Sequence, residues 1–426
     1  MADHEYGFDT LALHAGQQPD SATGARAAPI YQTTSYVFDS TEHAASLFNL
    51  QTFGNIYSRL TNPTCAMFEE RMAALEGGRA AVSTASGMSA QAMAILTLLQ
   101  AGDEMVSART LYGGTYSQFD VTLRRMGIRT HFVDPDDPEN FRRALTPKTK
   151  LIFGESIGNP VGNVLDMAPI AGIAHDAGIP LMVDNTMATP YLCRPFEHGA
   201  DIVVHSATKF IGGHGTAIGG VLVESGKFPW DNGNFPGMTE PSEGYHGVRF
   251  YETFGDFGYT MKVRCEALRT LGPTLAPMHA WLFMQGLETL SLRMERHCSN
   301  ALAVAQHLEE HPKVAWVKYA GLPDSPYATL TARYLPRGAG GIVSFGIRGG
   351  HEAGVRFIES ARFMSHLANI GDAKTLIIHP ASTTHRQLSE EQQVAAGVPP
   401  DMIRISVGLE TLDDILWDID QALGAA

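Results

Sequence analysis

Two residues in this chain close apolar runs and could share one reaction: Asp184, at the end of Ile179-Pro-Leu-Met-Val, and Lys209, in Asp201-Ile-Val-Val-His-Ser-Ala-Thr-Lys-Phe. A lysine amine can hold an aldehyde as a Schiff base, and a carboxylate can keep a pyridine nitrogen protonated so that the ring draws electrons from a carbanion. Together they answer the needs of pyridoxal 5'-phosphate. Polar residues stand at strand ends in any α/β protein, so either one alone carries little. Their neighbours add the rest. Ser206 and Thr208 flank the lysine with hydroxyls that could reach a phosphate, and Gly212, Gly213 and Gly215 would let backbone pass close to a ring. Ser86, Gly87 and Met88 open a long apolar helix whose first amides and positive dipole end suit an anion.

These residues need a scaffold that brings strand ends together. Short apolar runs at 80–85, 104–108, 128–133, 150–154, 180–184 and 201–205 alternate with helical stretches at 88–100, 115–126 and 167–177. That alternation predicts βαβ units on a mainly parallel sheet, with ligands beyond the carboxyl ends of the strands. Residues 1–63 are rich in Gly, Pro, Thr and Tyr and read as an extended arm that reaches a neighbouring subunit. A large domain is expected over 64–275 and a smaller α+β domain over 276–426, with a long helix near 276–310 and strands near 313–319, 341–347, 375–379 and 402–407. Between them, 225–257 is an insertion crowded with Gly, Pro, Asn and aromatics, long enough to be a lid, a binding loop or an interface.

Composition narrows the function classes. A formal charge of −14 without a basic stripe argues against nucleic acid or an anionic membrane as partner and points to small molecules. Cys65, Cys193, Cys265 and Cys298 form no C-x-x-C pair, which fits a reduced chain. With no signal-like start and no run of membrane-spanning length, the expected setting is cytoplasmic. There is no P-loop, H-E-x-x-H, G-x-S-x-G or G-x-G-x-x-G pattern, and His205 and His214 lack a third ligand at metal spacing, so no metal is expected.

Seven ordered stretches carry a resemblance: Tyr57-Ser-Arg-Leu-Thr-Asn-Pro-Thr, Ser86-Gly-Met-Ser-Ala, Leu111-Tyr-Gly-Gly-Thr, Val183-Asp-Asn-Thr, Ser206-Ala-Thr-Lys-Phe, His379-Pro-Ala-Ser-Thr-Thr-His and Arg404-Ile-Ser-Val-Gly-Leu-Glu. Over nearly its whole length the chain resembles the Cys/Met metabolism family of pyridoxal-phosphate enzymes, most closely its O-acetylhomoserine sulfhydrylase branch. The resemblance implies an aspartate-aminotransferase-like large domain (fold type I) and a homotetramer built from dimers that share active sites. It implies that Tyr57 and Arg59 reach the neighbour's phosphate, that Tyr112 stacks on the cofactor ring and assists proton transfer, and that Arg404 pairs with the substrate α-carboxylate. Asn159 and Ser382 are implied as helpers at the carboxylate and the cofactor.

The implied reaction is γ-replacement on O-acetyl-L-homoserine, with sulfide giving homocysteine or methanethiol giving methionine. Three features set this branch apart by resemblance: Glu155-Ser-Ile-Gly-Asn-Pro, Asn369-Ile-Gly-Asp-Ala-Lys-Thr-Leu with the 225–257 insertion, and Gly114 where methionine γ-lyases tend to carry cysteine. A methionine or homocysteine γ-lyase, a cystathionine γ-synthase-type enzyme and a non-catalytic binding protein of this fold are the alternatives.

Overall fold

The computed structural model describes residues 4–383, 386 and 397–426. Seven strands form the larger sheet: β1 (Ala80–Thr84), β2 (Glu104–Ala108), β3 (Arg129–Val133), β4 (Thr149–Glu155), β5 (Leu181–Asp184), β6 (Ile202–Ser206) and β7 (Gly220–Glu224). Their order is β1-β7-β6-β5-β4-β2-β3, parallel throughout except for β7, which runs antiparallel between β1 and β6. The apolar runs are near-continuous rather than alternating because helices cover the sheet, and the central strands are buried along almost their whole length. β7 is the strand of this sheet missing from the sequence reading.

Helices Pro63–Glu76 and Gly87–Leu98 pack on β1 and β7. The first starts where Asn62 Oδ1 accepts the N–H of Thr64 at 3.0 Å, with Pro63 in the first turn where no donor is needed. Asn62 Nδ2 also donates to Tyr31 O at 2.8 Å and Ser58 Oγ at 3.0 Å, so one side chain caps the helix and fastens the N-terminal arm. That arm is less extended than its composition predicts. It holds helices Phe8–His14 and Thr41–Phe48, with Phe8 and Ala12 buried, while Val37 and Phe53 stay 98% and 75% exposed.

Segment 225–257, read from sequence as a lid, a binding loop or an interface, turns several of its aromatics inward. Its Phe228, Trp230, Phe235 and Phe250 are buried, Trp230 stacks on Tyr259 with ring centroids 5.0 Å apart, and Trp230 Nε1 donates to Glu224 Oε1 at 3.2 Å. Glu224 also accepts the Thr260 N–H at 2.8 Å, and burial pushes its carboxyl up to about 7. The aromatics are thus used for packing on the end of β7.

The second sheet contains β8 (Val314–Lys318), β9 (Ile342–Ile347), β10 (Ser365–His366), β11 (Leu376–Ile378) and β12 (Met402–Ser406), in the order β10-β11-β12-β9-β8. It is antiparallel except between β10 and β11. Helices Leu290–Glu310 and Gly350–Ser360 lie on it, and Leu412–Ala425 packs against both. The single long helix predicted over 276–310 is two, Pro277–Glu288 and Leu290–Glu310, broken at Thr289.

The two sheets meet along Asn369–Ala373. Ala373 N–H donates to Gly213 O at 2.8 Å, and Gly371 N–H donates to Ser406 Oγ at 2.9 Å. Gly371 has φ +74°, and a Cβ there would lie 2.6 Å from Phe210 N, so only glycine fits this crossing. Among the described residues no helix is long and apolar enough to cross a membrane.

Candidate active site

The parallel strands bring the sequence-predicted residues to one end of the larger sheet. Ser86 caps the helix Gly87–Leu98: its Oγ accepts the Ser89 N–H at 3.1 Å and its own N–H donates to Ser89 Oγ at 2.9 Å. The amides of Gly87 and Met88, in the first turn, have no acceptor within the helix and point out for a ligand. Gly87 runs so close to the end of β6 that a Cβ would sit 2.6 Å from Ser206 Cβ. Ser86, Gly87 and Ser206 therefore form one narrow cradle of amides and hydroxyls at a helix N-terminus, the right size and polarity for a phosphate. Thr208 borders it, with Oγ1 exchanging hydrogen bonds with Gly219 O (3.2 Å) and N–H (3.1 Å).

Asp184 ends β5 and accepts the Thr186 N–H at 2.9 Å. On the adjacent parallel strand its register partner is Glu155, which is buried. Burial raises both carboxyls, Glu155 well above its ordinary range, with the Asp184 charge adding to the effect on Glu155. Two neighbouring buried acids favour a cation, and a protonated ring nitrogen against Asp184 answers that need.

Lys209 leaves the turn after β6 and donates from Nζ to Asn369 Oδ1 at 2.5 Å. Burial, then the charge of Arg404, pushes its amine down to about 8. Arg404 projects from β12, donating from Nη1 to Asn159 Oδ1 at 3.1 Å and from Nη2 to Asn369 O at 3.3 Å. Its Nε is buried with no partner among the described residues, and burial pushes the guanidinium down to about 10. An unsatisfied buried donor on a guanidinium is costly, and a carboxylate ligand would remove the cost. Tyr112, about half exposed, follows β2. Its N–H donates to Glu155 Oε1 at 2.7 Å, and the Asn159 N–H donates to Glu155 Oε2 at 3.1 Å.

The other predicted residues stand apart. Ser382 Oγ is held by His379 Nδ1 (2.6 Å) and His351 Nε2 (3.0 Å), in a turn that continues from β11 beside Arg404. Thr384 and His385 of the same motif lie outside the described residues. Tyr57 is exposed on the arm, and Arg59 stacks over its ring at 5.3 Å rather than entering the cradle of its own chain. Gly212 and Gly213 make room for Phe283 and the buried Arg293. Asn369 and Glu155 are the residues missed. Nothing local marks Asn369 as the lysine's partner, whereas Glu155 was visible as a second acid ending a strand beside Asp184.

Phosphate cradle, carboxylate, lowered lysine and waiting guanidinium together fit pyridoxal phosphate. The chain matches the family model described as Cys/Met metabolism PLP-dependent enzyme over residues 9–424. It is 54% identical over 425 residues to an O-acetyl-L-homoserine sulfhydrylase of Leptospira meyeri, covering 97% of this chain and 96% of that one. It is also 54% identical over 422 residues to a homocysteine synthase of Schizosaccharomyces pombe, covering 98% of each. A crystal structure of a Campylobacter jejuni protein assigned as an O-acetylhomoserine (thiol)-lyase, carrying N'-pyridoxyl-lysine-5'-monophosphate, superposes with a TM-score of 0.95 at 40% identity, covering 98% of this chain and all of the other.

Proposed function

The chain belongs to the Cys/Met metabolism family of PLP-dependent enzymes, and from that premise we propose that it catalyses γ-replacement on O-acetyl-L-homoserine. Sulfide replaces acetate to give L-homocysteine, and methanethiol in its place gives L-methionine. The observation that carries this reading is the convergence of Lys209 and Arg404 on Asn369, which sets a proton-moving amine beside a carboxylate-binding fork in one cleft.

Bound pyridoxal phosphate supplies an electron sink for negative charge developing on the amino acid. The chain's own groups do the rest. Ser86, Gly87, Met88, Ser206 and Thr208 hold the phosphate, and Asp184 faces the ring nitrogen. Arg404 takes the substrate α-carboxylate through its free donors while Asn159 fixes the guanidinium. Lys209, with its amine lowered to about 8, takes the proton from Cα and then one from Cβ; acetate departs from Cγ, sulfide adds there, and protons return to Cβ and Cα. Tyr112 covers the reacting atoms.

Purified cofactor-loaded protein given O-acetyl-L-homoserine and sulfide should yield homocysteine as the main product. Abundant 2-oxobutyrate would make it a γ-lyase instead, and absence of both products would reject the substrate.

The exposed arm supports an assembly of dimers with shared sites, in which Tyr57 and Arg59 serve the neighbouring subunit's phosphate in a cytoplasmic homotetramer. Lys209→Ala and Arg59→Ala, each inactive alone, should then complement after mixing and subunit exchange, recovering up to about a quarter of wild-type activity, because half of randomly assembled two-fold dimers carry one intact site. No recovery after verified exchange would place Arg59 in its own subunit's site.

A further inference from the structure

Glu155 is buried beside Asp184, yet no step of the proposed reaction draws on its carboxylate. A second acid in that place adds repulsion and desolvation, so its presence calls for a use. The two oxygens are divided between two loops. Oε1 accepts the N–H of Tyr112, in the loop after β2, and Oε2 accepts the N–H of Asn159, in the loop after β4. One loop carries the aromatic ring over the site, and the other carries the amide that holds Arg404 at 3.1 Å.

We propose that Glu155 is a positioning residue for γ-replacement: its carboxylate clamps the Tyr112 and Asn159 loops together and so fixes the ring of Tyr112 relative to the guanidinium of Arg404. The proposal rests on the functional reading above and deepens it. A carboxylate suits the task because both of its oxygens accept. Glutamine cannot replace it, since whichever way the amide is turned, its NH2 faces one of the two N–H donors. Aspartate keeps both acceptors on a shorter stem.

The test is steady-state kinetics of cofactor-loaded Glu155→Gln and Glu155→Asp with O-acetyl-L-homoserine at saturating sulfide, with cofactor content read by absorbance and melting temperature alongside. Glu155→Gln is expected to raise KM and lower kcat per loaded site by about tenfold or more each, while cofactor content stays near wild type because the cradle and Lys209 are untouched. Glu155→Asp should recover part of both losses. Wild-type KM and kcat per loaded site in Glu155→Gln overturn the clamp, even where the melting temperature falls, since Glu155 would then only support the fold. If the wild-type protein itself fails to use O-acetyl-L-homoserine, it is the functional reading that falls. The clamp is then judged by titrating L-methionine into the loaded proteins and following cofactor absorbance: weakening by about tenfold in Glu155→Gln supports it, and equal affinity overturns it.

Discussion

Replacing Lys209 with alanine is expected to abolish turnover, lowering kcat by about a thousandfold or more, because the residue proposed to move the Cα and Cβ protons is removed. The fold should survive. Lys209 is a single amine bonded to Asn369, and removing it relieves a buried charge that burial and Arg404 already disfavour. Borohydride reduction followed by peptide mapping should label Lys209 in the wild-type protein and nothing in the variant. A variant retaining a tenth of wild-type activity, about a tenfold loss or less, would refute the assignment. The lowered amine adds a pH signature. Only the neutral amine attacks an aldehyde, and its neutral fraction grows as pH rises through about 8 rather than 10.5. Capture of pyridoxal phosphate by the apoprotein should therefore accelerate with pH and level off above about 8.

Arg404→Ala should raise KM for the amino acid by about a hundredfold or more, the cost of leaving a carboxylate in a buried site without its charged partner. Some of the loss should appear in kcat, since the fork also orients the Cα–H bond. Arg404→Lys should recover little, because an ammonium cannot reach Asn159, Asn369 and a substrate carboxylate together. Steady-state kinetics decide this: a KM within about threefold of wild type in Arg404→Ala would remove the carboxylate role.

The residues that sequence alone could place are those whose surroundings are local. Asp184 and Lys209 stood at the ends of apolar runs, and Ser86 and Gly87 at a strand-to-helix turn, so alternation of elements was enough to gather them. Asn369 was not legible because it meets Lys209 across 160 positions, and nothing in a short window reports such a contact. The same holds for Arg404 and Asn159, 245 positions apart, which resemblance rather than pattern brought together. β7 was overlooked because the glycines before it read as room for a ligand. The aromatics of 225–257 marked it as a lid, a binding loop or an interface, and the burial of Phe228, Trp230 and Phe235, with Trp230 bonded to Glu224, was not legible from composition. Exposure is a property of the folded chain that composition does not encode.

The crossing at Asn369–Ala373 has a mechanical consequence. Many enzymes admit substrate by swinging one domain away from another about a flexible hinge. Here the backbone of one sheet's domain is stitched to the lysine-bearing turn of the other, with Gly371 pressed against Phe210 and Ala373 tied to Gly213. Any swing that widened the cleft at Arg404 would have to break that stitch and pull Asn369 from the amine. The smaller domain is thus tied to the lysine-bearing turn at the point where rotation would be most useful, so the cleft cannot open by that hinge without first breaking the contacts that hold Lys209 and Arg404 together.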